Sequence, residues 1–210
     1  RKELLTYEEM ERIVRVLADF GVEKVRITGG EPFVRRDLIK FIEKIADIEG
    51  VKKIALTTNG VLAAPHVKRF KSLKINSVNL SLDSLDPVRF FEVTRRDEFP
   101  AVMRTLDELL FHGIDVKINS VVMQGQNEQD ILPLVDMTRQ LPVSVRFLEE
   151  MPFNGTGQHY REWVWDHRRI MAHIQEHFPS LHKIPDPPHS TSSNYAIDGH
   201  IGTVGVIAAY

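Results

Sequence analysis

Apolar positions along the 210-residue chain recur with two spacings, one helical and one alternating, and the two take turns. Thr6 and Glu9 make a capping box. Ile13, Val14, Leu17 and Phe20 then mark an amphipathic helix that stops at Gly21. A strand is predicted over 24–28, followed by the turn Gly29-Gly30-Glu31-Pro32. Asp37 is expected to cap a helix carrying Leu38, Phe41, Ile42 and Ile45. Further strands are predicted over 53–58 (ended by Asn59-Gly60), 76–82, 116–123 and 143–149. Helices are predicted from about Pro65, over 99–110 with His112-Gly113 as the stop, and from Asn127 through Met137. Serial strand–helix units of this kind predict parallel strands with right-handed crossovers. The pattern weakens after Met151. Asn154-Gly155-Thr156-Gly157 reads as a loop, 166–177 as a polar helix, 185–193 as a linker, and 196–206 as a hairpin turning at Asp198-Gly199. The chain thus divides into a core over 1–151 and an extension over 152–210.

Side chains alternate faces along a strand. That parity puts Val25, Ile27, Ile54, Leu56, Val78, Leu80, Leu82, Val116, Ile118, Val143, Val145 and Phe147 on one face. Lys24, Arg26, Thr28, Lys53, Ala55, Thr57, Asn59, Asn79, Ser81, Asp83, Lys117, Asn119, Ser144 and Arg146 fall on the other. Sheets covered by helices on both faces read as continuous apolar runs, and closed eight-stranded barrels fill their interiors with Val, Ile and Leu. The parity fits instead an open α/β barrel with a wet lumen whose inward cations meet an anionic ligand, phosphate above all. A two-layer sheet with one solvated face stays open as the alternative.

Composition narrows the picture. Lys plus Arg number 27 against 29 for Asp plus Glu, a net charge of −2, which argues against a nucleic-acid coat or a membrane-surface binder. There are no cysteines, so disulfides and thiolate metal sites are excluded within the chain. Active sites of parallel α/β folds gather at the carboxyl ends of strands. Taken singly, Gly29-Gly30 and Asn59-Gly60 read as turns, and Asp83 reads equally as a cap or a functional group. His173 and His177, one turn apart, read as a solvated helix face. Trp163 and Trp165, near Tyr160, read as packing.

The segments KVRITGGEPFVRRDL (24–38), LTTNG (56–60), VNLSLDSLD (78–86), VKINSVVMQGQN (116–127) and VRFLEEMPFNG (145–155) fall in order at successive strand ends. Together they resemble the radical SAM GTP 3′,8-cyclases of molybdenum cofactor biosynthesis, from about Leu4 to the C-terminus. Gly-Gly-Glu-Pro alone resembles only the wider superfamily. The resemblance implies an α/β fold, a partial (β/α)6 TIM-like barrel with an open lumen, incomplete at both ends and missing its first strand. It implies that a [4Fe–4S] cluster cleaves S-adenosylmethionine (SAM). The 5′-deoxyadenosyl radical takes the 3′ hydrogen of GTP, and the sugar carbon attacks purine C8. The product would be (8S)-3′,8-cyclo-7,8-dihydroguanosine 5′-triphosphate. By position, Gly30, Ser81 and Met151 would contact SAM, and Lys24, Arg26, Thr57 and Lys117 would hold GTP. Thr28, Asn119 and Arg146 would be further lumen residues.

The resemblance also has departures. The family's C-x-x-x-C-x-x-C loop falls before LLTYEE and its second cysteine set beyond Tyr210. A cysteine-free chain ligates neither of the two [4Fe–4S] clusters by thiolate, so it holds no metal of its own on this reading. It reads as the middle of a longer enzyme, inactive alone and exposing a sheet edge and apolar surface. Glu150 stands where an aromatic is usual. The implied partners are GTP and, by pathway, the cyclic pyranopterin monophosphate synthase downstream; no nucleic acid or membrane is implied, and a homodimer is allowed. The implied location is the cytoplasm, or the mitochondrion in a eukaryote. Two other readings stay open: a cluster-less nucleotide-binding module, and a radical SAM enzyme with another substrate.

Overall fold

A computed structural model describes residues 4–151, 165–187 and 190–208. Along the chain run α1 (Tyr7–Asp19), β1 (Lys24–Ile27), α2 (Leu38–Ala46), β2 (Lys53–Thr58), β3 (Ile75–Ser81), α3 (Pro87–Thr94) and α4 (Phe99–Phe111). They are followed by β4 (Asp115–Val122), α5 (Ile131–Met137), β5 (Val143–Glu149), α6 (His167–His177), β6 (His182–Lys183), β7 (Ser193–Ala196) and β8 (Thr203–Ile207). The chain forms two compact units. The first comprises residues up to Leu80 with Ala101–Asp115, the second Ser81–Pro100 with Val116 onward. The loop 154–157, Tyr160 and Trp163 lie outside the described residues.

In the first unit β1, β2 and β3 are parallel, with Lys24 beside Lys53, Arg26 beside Ala55, and Thr57 beside Asn79. Ile54, Leu56, Val78 and Leu80 are buried, as are Ile42, Ile45, Phe70, Val102, Leu106 and Leu109 of the connecting segments. Thr6 closes its capping box with Glu9 as expected. The helix that follows buries only Ala18. Ile13, Leu17 and Phe20 are exposed, Phe20 at 84%. The amphipathic stripe exists, but its hydrophobic positions are not covered within the described residues. Asp37 departs from its expected role. It sits at φ 61° and makes no cap hydrogen bond, its carboxylate going to Lys40 at 2.9 Å. The segment after Pro65 winds as short 3-10 turns, Ala64–Arg69 and Lys71–Leu73, rather than as an α-helix.

In the second unit β4 and β5 are parallel, with Lys117 beside Ser144 and Asn119 beside Arg146. β8 lies parallel on the other side of β5, and β7 and β6 continue antiparallel from it. The expected hairpin is therefore present as β7–β8, and its second strand also extends the parallel set. Val116, Ile118, Val145, Phe147 and Val204 are buried with Leu134, Val135, Ile170 and Ile174. α6 opens on Asp166, which accepts from Arg169 N, and the His167 N–H donates to Glu149 Oε1 at the end of β5. α3 was not anticipated; Asp86 caps it by accepting from Val88 N and Arg89 N, with Pro87 in its first turn. The parity expectation holds over most of both units: the apolar side of the strands is buried or half-buried, Thr58 and Ser120 included, and the polar side is half-buried or exposed. Ala55 departs from it, buried on the polar side, as does the start of β3, where Ile75 is buried and Asn76 exposed ahead of a register shift.

Candidate functional site

The first unit presents Lys24 and Arg26 side by side on β1, both exposed, with Thr28 just past the strand. Arg26 Nη1 donates to Thr57 Oγ1 on β2 at 3.3 Å. This contact joins two of the residues expected to hold one ligand. Lys53, beside Lys24 in register and also exposed, adds a third cation to this face.

The Gly29–Gly30 turn is held from below by Glu31. Its Oε1 accepts from Phe33 N at 3.1 Å and from Thr58 Oγ1 at 2.9 Å, and its Oε2 accepts from Asn59 N at 2.7 Å. The acid of Gly-Gly-Glu-Pro therefore ties the end of β1 to the end of β2. Sequence reasoning gave it no role, although its place in the turn was the available signal. Gly29 adopts φ 149°, a region that suits glycine, and a Cβ at Gly29 or Gly30 would meet nothing within 4 Å. The turn leaves open space over its own backbone, which is what contact with a polar ligand such as the methionyl group of SAM requires. SAM fits this part of the chain on that ground.

The second unit carries Ser81, exposed at the end of β3, then Lys117 and Asn119 on β4 and Arg146 on β5, all three half-buried on the polar face. Met151 is 58% exposed just past β5. Among the described residues, the buried atoms Asn119 Oδ1, Asn79 Oδ1 and Ser77 Oγ have no hydrogen-bond partner. An unsatisfied buried polar group costs about 1–3 kcal/mol. Asn79 and Asn119 thus each offer an acceptor that a hydrogen-bonding ligand would satisfy.

The loops after β3 and β4 are locked together. Asp83 Oδ1 accepts from Val121 N at 2.8 Å, and Leu82 N donates to Asn119 O at 3.0 Å. Asn127 is buried; its Nδ2 donates to both Asp83 O and Val121 O at 2.9 Å, and its Oδ1 accepts from Met123 N. It opens the helical segment as expected, a 3-10 turn over Glu128–Asp130 that runs into α5, but its side chain makes no cap hydrogen bond and clamps two strand ends instead. Burial pushes the Asp83 carboxyl up, against the Val121 hydrogen bond that lowers it. Asp83 is therefore neither a helix cap nor a free acid. A separate cavity of about 490 Å³ lies in the first unit, lined by Val61, Pro65, Ala101 and Arg104 among others. None of the expected site residues lines it.

These strand ends, with Gly-Gly-Glu-Pro at the first, define the class. Residues 1–138 match the Radical SAM superfamily, and the chain belongs to it. Members of that superfamily use SAM and iron–sulfur chemistry. The chain is 37% identical over all its 210 residues to "GTP 3′,8-cyclase, mitochondrial" of Arabidopsis thaliana, covering 54% of that protein. It is 36% identical over 210 residues to "Molybdenum cofactor biosynthesis protein 1" of Mus musculus, covering 33% of it. The chain thus spans about half of the first relative and a third of the second. Streptococcus suis SuiB, solved with its precursor peptide SuiA, superposes over 84% of this chain and 40% of its own at a TM-score of 0.64 and 24% identity. The mixed α/β architecture with parallel strands is the fold of that structure. No helix among the described residues is long and apolar enough to cross a membrane.

Proposed function

We propose that this chain is the nucleotide-holding part of a radical SAM GTP 3′,8-cyclase, the enzyme of the first step of molybdenum cofactor biosynthesis. The observation that carries the reading is the polar strand face. In each unit, cations and buried amide oxygens without a hydrogen-bond partner share the polar strand face, and the similarity to the cyclase relatives runs over the whole chain.

Lys24, Arg26, Thr57 and Lys117 hold GTP on this reading. Ammonium and guanidinium groups suit phosphate, Arg26 is oriented by its bond to Thr57, and Asn119 offers an acceptor beside Arg146. Gly30, Ser81 and Met151 face SAM, with Glu31 fixing the turn so that its backbone stays presented. Thr28 and Arg146 complete the polar lining. Bound SAM, on taking one electron from a reduced iron–sulfur cluster, would supply the radical that starts the chemistry, and this chain's share is to orient substrate and exclude competing reactions. The clusters of such an enzyme need thiolate ligands. This cysteine-free chain does not fit that role. The cyclised nucleotide would pass to the synthase that forms the pyranopterin.

Isothermal titration with GTP tests the reading. Replacing Lys117 with Ala removes one charge-assisted phosphate contact and costs about 1.5–3 kcal/mol, roughly 10- to 150-fold in Kd. Unchanged affinity would overturn the assignment of Lys117. Absence of GTP binding in the parent chain, with SAM still bound, would favour a superfamily member with another substrate.

A further inference from the structure

We infer that α6 carries a divalent transition-metal site formed by His173, Glu176 and His177, suited to Zn²⁺ or Cu²⁺. Positions three and four apart on a helix stack on one face. Among the described residues, these three side chains bring their ligand atoms within 4.8 Å of one another. The two imidazole rings lie with centroids 4.8 Å apart. The sequence alone reads the histidine pair as a solvated face, and Glu176 on that face completes a three-ligand set.

The ring nitrogens are prepared for a metal. His177 Nδ1 lies 3.0 Å from His173 O. A carbonyl only accepts, so this contact selects the tautomer with the proton on Nδ1, which turns Nε2 outward as the ligand atom. A backbone carbonyl that fixes the tautomer is the usual outer support of a metal-binding histidine. His173 is half-buried, its ring edge-on to Trp165 at 5.3 Å. Arg169, one turn before His173, is engaged elsewhere: it stacks over Trp165 at 4.2 Å and its Nη1 donates to Gln124 Oε1. Two imidazoles and a carboxylate, with water free to complete the shell, suit Zn²⁺ and Cu²⁺ rather than Mg²⁺ or Ca²⁺. The bound ion would tie the last two turns of α6 together.

The test uses the full chain and two probes. ZnCl₂ is titrated calorimetrically. CuCl₂ is followed by tryptophan fluorescence in a Trp163→Phe background, which leaves Trp165 as the only tryptophan. One Zn²⁺ per chain and quenching of Trp165 by Cu²⁺ are expected. His177→Ala should weaken zinc binding about 100-fold, the upper end of what loss of even an outer-shell partner costs. Glu176→Gln should weaken it less, and His182→Ala, outside the cluster, should leave it unchanged. His177 and Glu176 are exposed, so neither substitution disturbs the core, and circular dichroism checks this. Failure of the parent chain to take up zinc would overturn the site, as would parent-like affinity in both His177→Ala and Glu176→Gln.

Discussion

A carboxylate that accepts three hydrogen bonds from its own chain has little left for a ligand, and Glu31 is such a group. Asp83 is the second carboxylate at a strand end. Its raised pKa has a defined consequence for stability. The folded state binds the proton more tightly than the unfolded one, so the Asp83 contribution is fully present below the ordinary carboxylate pKa of about 3.9 and is lost as pH rises through the raised folded value. Asp83→Asn keeps an Oδ1 to accept from Val121 N and removes the titration. Urea unfolding should therefore show the Asn variant gaining stability relative to the parent between pH 3.5 and pH 7. A difference that does not change with pH would contradict this account. The identities of Glu31, Asp83 and Asn127 were plain in the sequence, but each has a partner 27 to 44 residues away. Local pattern reading therefore placed the helix start at Asn127 and left the clamp made by its side chain unread. Asp37 misled for a different reason: an acid before an apolar run is the usual cap signal, and here it adopts a left-handed backbone.

Elements were legible wherever the period was clean. β2 and β5 fall where expected, and α6 starts one residue past its cap. α3 was missed although Asp86-Pro87 is itself a helix-start signal, because eight residues between two longer patterns give little periodicity. The parallel pairing of β8 with β5 was not readable, since hairpin signals report only antiparallel neighbours. α3 is fastened to the start of α5 by Arg89, whose Nε and Nη2 reach both oxygens of Asp130 at 2.7 and 3.0 Å. Asp130 is 1% exposed and Arg89 28%. Breaking a fully buried pair costs about 3–5 kcal/mol. Arg89 keeps some water, so Asp130→Ala should cost less, about 2–3 kcal/mol. In a urea double-mutant cycle with Arg89→Ala, the double variant should lose little more than either single one. Additive losses would show that the pair is not coupled.

At the scale of the molecule, alternation alone separated the buried from the polar strand face in both units, because a period of two leaves no ambiguity once one face is covered. It did not predict that α1 would leave Ile13, Leu17 and Phe20 exposed, since a helix pattern shows which face is apolar and not whether anything covers it. The central claim is that cations on the polar strand faces recognise the phosphates of GTP. The most direct measurement compares GTP with guanosine, which lacks phosphates, by calorimetry on the parent chain, on Arg26→Ala, and on Arg104→Ala, whose site lies on α4 away from the strands. The account predicts that Arg26→Ala weakens GTP binding about tenfold or more and leaves guanosine unchanged, while Arg104→Ala alters neither. Equal GTP affinity in the parent and Arg26→Ala, or an equal loss in the α4 variant, would contradict it.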